Sequence, residues 1–180
     1  IRFPQAPLAE KARRAFKLYG SAVWNHYLSD TYGPEVVRAT WEAGPSVMPA
    51  DFAVAAYERA IRDAGGAGFS QDFVGFAAAT AEWRTTDVFP DPGLYRDVRR
   101  SGNLNRTEKV GTLDHTGYRL FKVARPSSGD VVLEVKFESG VRSGIALVGR
   151  EGPVIGGTVT TVSTYLPRGG KASVTLPDAS

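Results

Sequence analysis

The chain has 180 residues, a mass of 19.3 kDa, 42% hydrophobic and 23% charged residues, and a formal net charge of +3 at pH 7. This composition is typical of a globular protein and excludes a disordered tail, a collagen-like rod and a coiled coil. No stretch reaches the roughly 18 consecutive apolar residues of a membrane helix, so we expect no membrane span. The sequence begins at Ile1 without a Met or a secretory apolar segment, and we expect it to be part of a longer chain.

Two residue types narrow the possible chemistry. Cysteine is absent, which excludes disulfides, thiolate nucleophiles and cysteine-based zinc or iron-sulfur sites. The two histidines, His26 and His115, stand too far apart in the sequence to hold a metal on one helix face. The densest basic cluster lies at 96–106 and has one aromatic neighbour, Tyr95, whereas nucleic-acid interfaces interleave many. We therefore predict no metal site in this chain and no nucleic-acid partner.

Residues 1–84 are predicted to form a helical lobe that begins with two helices. Apolar side chains recur at helical spacing from Phe16 to Leu28 and form one stripe, which should face a core. Gly33 is expected to end this helix, because glycine tolerates the left-handed conformation after a helix. Pro34 then suits the start of a second helix, which runs to about Glu42.

Two further helices are predicted in the same lobe. The third starts near Pro49 and ends at Gly65-Gly66. Ser70 is predicted to cap the fourth, whose apolar row includes Phe73 and Phe76. Four short helices with short connections form a compact unit, and we interpret their aromatic stripes as core rather than as a cofactor pocket.

The second half of the chain is predicted to be β-structure, which makes the fold class segregated α+β. Residues 85–112 are rich in proline and glycine without a sustained period and are interpreted as a linker or ordered connection. Residues 113–180 alternate with a period of two and are predicted to form an antiparallel β-sandwich or jelly-roll-like domain. Five or six strands are fewer than a sandwich usually has, so we expect the sandwich to be truncated. The predicted inward residues are Tyr118, Leu120, Val123, Val131, Leu133, Val135, Phe137, Ile145 and Leu147.

Catalytic motifs are not recognisable from spacing alone. Gly156-Gly157 and Gly169-Gly170 lack the spacing of a phosphate-binding loop and are interpreted as bulges or hairpin turns. No G-x-S-x-G sequence is present for a serine hydrolase. The helical carboxylates fit exposed faces or first turns rather than a catalytic pair; these are Glu35, Glu42, Asp51 and Glu58.

Three helical segments carry a recognisable pattern. They read L-Y-G-S-A-V-W-N-H-Y-L from Leu18 to Leu28, Y-G-P-E-V-V-R-A-T-W-E from Tyr32 to Glu42, and F-S-Q-D-F-V-G-F-A from Phe69 to Ala77. They resemble Y-G-x-x-x-W-x-x-Y-L, Y-G-x-x-x-V-R-x-x-W-E and F-x-x-x-F-x-x-F-A helices of a little-characterised family of bacterial zinc metalloproteases. The resemblance continues through 89–91 and 97–102 to the start of the β-region near Leu113, and so covers most of the chain.

The resemblance implies a division of labour within a longer protein. In that family an H-E-x-x-H helix and a downstream glutamate precede these helices, and two imidazoles one turn apart hold Zn²⁺. This chain lacks that set, so the resemblance implies the C-terminal portion of a secreted metallopeptidase, inactive alone, with zinc in the parent protein. The implied partners are the upstream catalytic segment and the peptide substrate of the parent. Tyr19, Trp24 and His26 are the candidate cleft-lining residues, from their place on the first helix.

Two alternatives remain open at this point. The β-sandwich could be a non-catalytic module that binds carbohydrate or another protein, with the helices as support. Exposed aromatic side chains on the sandwich would favour this alternative. The chain could also be a purely structural scaffold, since its polar residues form few clusters.

Overall fold

The computed structural model of the chain describes residues 22–43, 52–86, 97–104, 107, 109–113, 116–124 and 126–178. These residues form four helices followed by six strands, and the predicted α+β class is confirmed. The helices are α1 (Ala22–Tyr32), α2 (Glu35–Ala43), α3 (Phe52–Asp63) and α4 (Phe69–Ala79). The strands are β1 (Gly102–Leu104), β2 (Phe121–Val123), β3 (Val131–Phe137), β4 (Ser143–Glu151), β5 (Thr158–Leu166) and β6 (Gly170–Leu176). The predicted helical residues 16–21, and His115, lie outside the described residues.

The two predicted glycine stops are confirmed. Gly33 follows α1 with a φ of 87°, and α2 begins two residues later. Gly65 has the same φ after α3, and the next residue, Gly66, donates its N–H to the carbonyl oxygen of Ile61 at 2.8 Å. These left-handed glycines satisfy the last carbonyls of each helix and turn the chain back. The helices can therefore pack side by side.

The predicted cap of α4 is wrong. The helix begins at Phe69, so Ser70 lies inside it, and the residue before it is Gly68 with a φ of 107° and no capping side chain. Instead the carboxylate of Glu58, on α3, accepts the N–H of Phe69 at 2.6 Å. A side chain on Gly68 would overlap that carboxylate, since an added Cβ would lie 2.7 Å from its oxygens. The acceptor comes from a neighbouring helix, which local sequence does not reveal.

Trp24 is the centre of the helical core. Its side chain is 1% exposed. The rings of Phe76 and Phe69 meet it edge-on at 5.3 and 5.5 Å, and Tyr27 stacks on it at 5.7 Å. Such pairs add about 0.5–1.5 kcal/mol each beyond their burial. The aromatic stripes therefore form core, as predicted.

Strands β3 to β6 form one long antiparallel ribbon that bends in the middle. The register joins Val131 to Leu176 and Phe137 to Gly170 in one ladder, and Ser143 to Leu166 and Glu151 to Thr158 in the other. The chain passes from one ladder to the next at 138–142 on one arm and at 167–169 on the other. The two ladders are therefore halves of a single hairpin whose tip lies at 152–157.

Glycines make the bend of this ribbon possible. Across it, Gly140 donates its N–H to the carbonyl oxygen of Arg168 at 2.8 Å. Gly169 has a φ of 66°, and a Cβ there would collide with the carbonyl of Glu138. Gly156-Gly157 lie in the turn at the ribbon tip. Gly156-Gly157 therefore lie in a hairpin turn, whereas Gly169-Gly170 lie where the ribbon bends.

The bend brings the two ladders face to face over a second core. Along β3, alternate residues are half-buried and exposed, which confirms the predicted period of two. From β4, Ile145 and Leu147 point into the same core and meet Val174 of β6. The opposite face of β3 is exposed and bears Val132, Glu134 and Lys136. The half-buried residues around this core are Val123, Val131, Leu133, Val135, Phe137, Val162, Ala172 and Leu176.

The helices contact the ribbon directly. Helix α4 packs against β4 and β5, where the absence of a side chain at Gly144 leaves room for Val74. Tyr118, which precedes β2, is 6% exposed and packs edge-on against Phe73 and Phe76 at 6.0 Å. Its hydroxyl lies 3.0 Å from the Oγ1 of Thr80. The helical core therefore extends into the β-region.

The predicted connection, 85–112, is described only in part. It contains β1, which pairs in parallel with β2 rather than antiparallel like the other strands. Near it, Glu82 forms ion pairs with Arg100 at 3.1 Å and with Arg150 of β4 at 3.0 Å. The boundaries 1–84, 85–112 and 113–180 stay a prediction. In the part of the chain that the structure describes, none of the helices has the length and hydropathy to cross a bilayer.

Candidate functional site

Two of the three candidate residues from the sequence, Trp24 and His26, are described by the structure, and they do not lie together. Trp24 is buried in the helical core, whereas His26 is exposed, so they occupy different faces of α1. Tyr19 lies outside the described residues. Trp24 therefore packs in the core, and His26 is the described candidate that faces solvent.

His26 lies in an open groove where α1 and α2 meet. The groove has a volume of about 420 Å³ and follows the turn between the two helices. Its most prominent side chain is Trp41, which is 71% exposed at the end of α2. Its lining residues are Asn25, His26 and Ser29 from α1, and Pro34, Val37, Arg38 and Trp41 from the turn and α2.

The charges at the rim of this groove are paired. Arg38 lies 2.6 Å from a carboxylate oxygen of Glu35 and 3.5 Å from one of Glu42. All three side chains are well exposed, so each pair contributes only about 0.3–0.5 kcal/mol. Glu35 and Glu42 are therefore solvated ion-pair residues, as the sequence predicted for exposed faces.

One lining residue of the groove, Asn25, is hydrogen-bonded to the helical unit. The hydroxyl of Tyr57, on α3, donates a hydrogen bond to the Oδ1 of Asn25 at 2.7 Å. Burial raises the pKa of Tyr57 above its ordinary value, while the Asn25 contact acts in the other direction. This bond joins α1 to α3 at the groove. The groove therefore combines the hydrogen-bonded Asn25 with the apolar side chains of Trp41 and Val37, a combination suited to contact with another segment.

A second cluster, which the sequence analysis missed, joins α1 to α4. The carboxyl group of Asp72 is buried, with the residue 9% exposed, and its Oδ1 accepts a hydrogen bond from the hydroxyl of Tyr32. Its Oδ2 has no hydrogen-bond partner within the described residues. The signal in the sequence is the position of Asp72, three residues after Phe69 and four before Phe76, in the middle of an apolar stripe.

The same carboxyl group affects two tyrosines. The pKa of Tyr32 is raised above its ordinary value by burial first and then by the hydrogen bond and charge of Asp72. The pKa of Tyr27 is raised by burial and by the charge of Asp72. Glycines let both hydroxyls approach, since an added Cβ at Gly66 or Gly75 would lie 2.5 or 2.6 Å from the Tyr32 or Tyr27 oxygen. Both hydroxyls stay neutral at ordinary pH and act as hydrogen-bonding groups inside the helical unit.

The described residues do not form a zinc site. No group of three His, Cys, Asp or Glu side chains among them is arranged to hold a metal ion. Two carboxylates of the helical unit have other roles: Asp72 accepts a hydrogen bond from Tyr32, and Glu58 caps α4 and pairs with Arg62 at 2.6 Å.

Comparisons with known proteins identify no relative. The chain matches no family model, and neither a curated protein nor a solved structure is significantly similar to it.

Proposed function

We propose that the chain is the C-terminal, non-catalytic portion of a secreted bacterial zinc metallopeptidase. In this proposal the zinc ligands and the catalytic glutamate belong to the upstream catalytic segment of the parent protein, which acts on a peptide substrate. The chain supplies a rigid helical lobe against which that segment packs. The basis is the resemblance of the α1, α2 and α4 sequences to helices of that family.

The observation that carries the proposal is the exposure of Trp41. The other large apolar residues that the structure describes in the resembling helices are buried or half-buried, as Trp24, Leu28 and Phe76 are. Trp41 belongs to the same pattern but is 71% exposed beside Val37. An apolar side chain of this size gains most when a partner covers it. We assign the upstream segment as that partner.

The position of the groove fits this assignment. Helix α1 begins at Ala22, one turn before Asn25 and His26, which line the groove. The groove therefore lies beside the first turns of α1. The paired charges of Arg38 would form a polar rim around the apolar centre, as in ordinary protein interfaces.

In the same proposal the β-region is an accessory, jelly-roll-like sandwich. The support is the bent ribbon of β3 to β6, because long antiparallel hairpins that fold over a core are the units of jelly rolls. The contact of α4 with β4 and β5 would keep this accessory part fixed to the helical lobe.

The test compares this chain with its parent, produced with the upstream residues included. We expect the parent to bind zinc and hydrolyse casein, and this chain alone to do neither. In the parent, Trp41→Ala should lower casein hydrolysis at least about tenfold, because Trp residues at interface centres contribute most of the contact energy. The matched control is Ile155→Ala, at a residue that is 66% exposed in the ribbon tip and does not line the groove.

Two results would contradict the proposal. Stoichiometric zinc binding with casein hydrolysis by this chain alone would place catalysis within it. Full activity and unchanged stability of the Trp41→Ala parent would remove the groove as the contact with the upstream segment.

The alternative of a binding module in the β-region has less support. Of the aromatic residues there, Tyr118 is buried in the helical core and Phe137 packs in the ribbon core. Phe121 and Tyr165 are half-buried. The described sheet faces thus offer no exposed aromatic platform for a sugar ring. Carbohydrate binding on a glycan array by this chain would reverse that preference.

A further inference from the structure

Strand β5 has an unusual composition for a strand with an open side. It runs for nine residues, T-V-T-T-V-S-T-Y-L, with no charged residue, no proline and no glycine. Its pairing with β4 is continuous from Thr158 to Leu166, so no bulge interrupts it. Within the described part of the chain β4 is its only ladder partner. One edge of β5 therefore presents backbone N–H and C=O groups without a neighbouring strand.

The exposure of the side chains also identifies β5 as an outer strand. Thr158 and Thr160 are exposed on one face, and Thr161 and Ser163 are exposed on the other. On β4, by contrast, no residue from Ser143 to Gly149 is exposed. β4 is thus covered on both faces, whereas β5 reaches solvent on both.

The other strands of the ribbon carry the residues that usually discourage edge pairing. β3 bears Glu134 and Lys136 on its exposed face, and β6 bears Lys171. β4 ends with Arg150 and Glu151. Charges on an edge strand disfavour pairing with another chain, whereas a long, uncharged, regular edge favours it. β5 is the strand without that protection.

We propose that the free edge of β5 pairs antiparallel with β5 of a second copy of this chain. Full overlap of the two strands sets the twofold axis at Val162 and places Thr160 opposite Thr164. The same register places Thr161 opposite Ser163 of the other copy, and Val159 opposite Tyr165. Hydroxyl pairs and aromatic with β-branched pairs are favourable across antiparallel strands. A second copy fits this edge because β5 has no charged residue. Two paired copies of it therefore place no like charges opposite each other.

The test is the oligomeric state of the full 180-residue chain, measured by sedimentation at increasing concentration. We expect a reversible dimer. Thr161→Lys with Ser163→Lys should weaken dimerisation at least about tenfold, because each lysine would then lie opposite another. Thr161→Lys with Ser163→Glu should restore it, because the same register then sets each lysine opposite a glutamate.

The matched control is Thr175→Lys on the exposed face of β6, which should leave dimerisation unchanged. Circular dichroism and thermal unfolding of each variant would establish that all are folded. A chain that stays monomeric at all concentrations would overturn the proposal. The unpaired edge of β5 would then be available to a strand of another protein. A dimer unaffected by the two lysines would overturn it as well, since contact would then lie elsewhere.

Discussion

The hydroxyl of Tyr32 donates a hydrogen bond to the Oδ1 of Asp72 and so joins the last turn of α1 to the first turn of α4. The two residues are 40 positions apart in the chain. Because α2 and α3 lie between them in sequence, this bond closes the helical unit on itself. It also places a carboxyl group in an apolar environment, where the loss of its partner would be costly.

Substitution of Tyr32 should therefore be more harmful than substitution of a tyrosine with a neutral partner. We expect Tyr32→Phe to lower the free energy of unfolding by about 2 kcal/mol, because the buried Oδ1 of Asp72 would lose the hydroxyl that donates a hydrogen bond to it. Tyr57→Phe, which removes a bond to the amide of Asn25, should lower it by about 1 kcal/mol. Urea unfolding of the two variants measures both values. Equal losses would show that the charge of Asp72 does not distinguish the two bonds.

Stability should fall at alkaline pH. Burial raises the pKa of Tyr118, and burial and Asp72 raise that of Tyr32, above the ordinary value of 10.0. A raised pKa in the folded protein means that the neutral hydroxyl is favoured by folding. The contribution is complete below pH 10.0 and is lost as the pH rises towards the folded pKa.

The measurement is the free energy of unfolding between about pH 8 and about pH 12, in the wild type and in Tyr118→Phe. The variant should be less stable at neutral pH, because it loses the contact with Thr80, but its stability should fall less steeply above pH 10.0. An identical slope in both proteins would count against Tyr118 as a source of the alkaline loss.

Glu58 should stabilise α4 from outside that helix. Glu58→Ala removes the acceptor of the Phe69 N–H and should cost about 1–2 kcal/mol, as the loss of a helix cap does. Glu35→Ala is the control, because Glu35 is exposed and its partner among the described residues is Arg38 on the same helix, and it should cost at most about 0.5 kcal/mol. Chemical unfolding compares them. Similar values for both would mean that the Phe69 N–H finds another acceptor.

Gly169 should be more sensitive to substitution than other left-handed glycines. Gly169→Ala combines an unfavourable φ with a collision against the carbonyl of Glu138, so we expect a loss above about 2 kcal/mol. Gly156→Ala has an unfavourable φ of 83° but open space around the new methyl group, and should lose about 1 kcal/mol. Thermal unfolding of the pair distinguishes the two. If Gly156→Ala were the more harmful change, the close approach of Gly169 to the carbonyl of Glu138 would not determine the loss of stability.

The sequence was informative where a pattern is local. The stripe that contains Trp24, the stops at Gly33 and Gly65, and the alternation of β3 all follow from periods and turn residues that a short window contains. The acceptor of the Phe69 N–H was not predictable in this way, because Glu58 lies on another helix and looks like an exposed i, i+4 partner of Arg62.

The pairing of distant segments was also beyond the sequence pattern. Breaks at 139–140 and at 168–170 were recognisable, but not that they lie opposite each other in one bent ribbon. At the candidate groove, the sequence indicates His26 as a cleft-lining candidate. It does not predict the exposure of Trp41, because Trp41 lies one turn after Val37, which is also the spacing of a buried stripe. Only packing determines which apolar face remains open.

The single hairpin formed by β3 to β6 has a consequence for the order in which it folds. All its rungs are nested around the tip at 152–157, so each rung that closes shortens the loop that the next must close. The ribbon can therefore form by successive pairing of residues outwards from its tip, and each new pair closes only a short loop. Stopped-flow kinetics should show that tip substitutions slow folding, whereas changes near Val131 and Leu176 mainly accelerate unfolding.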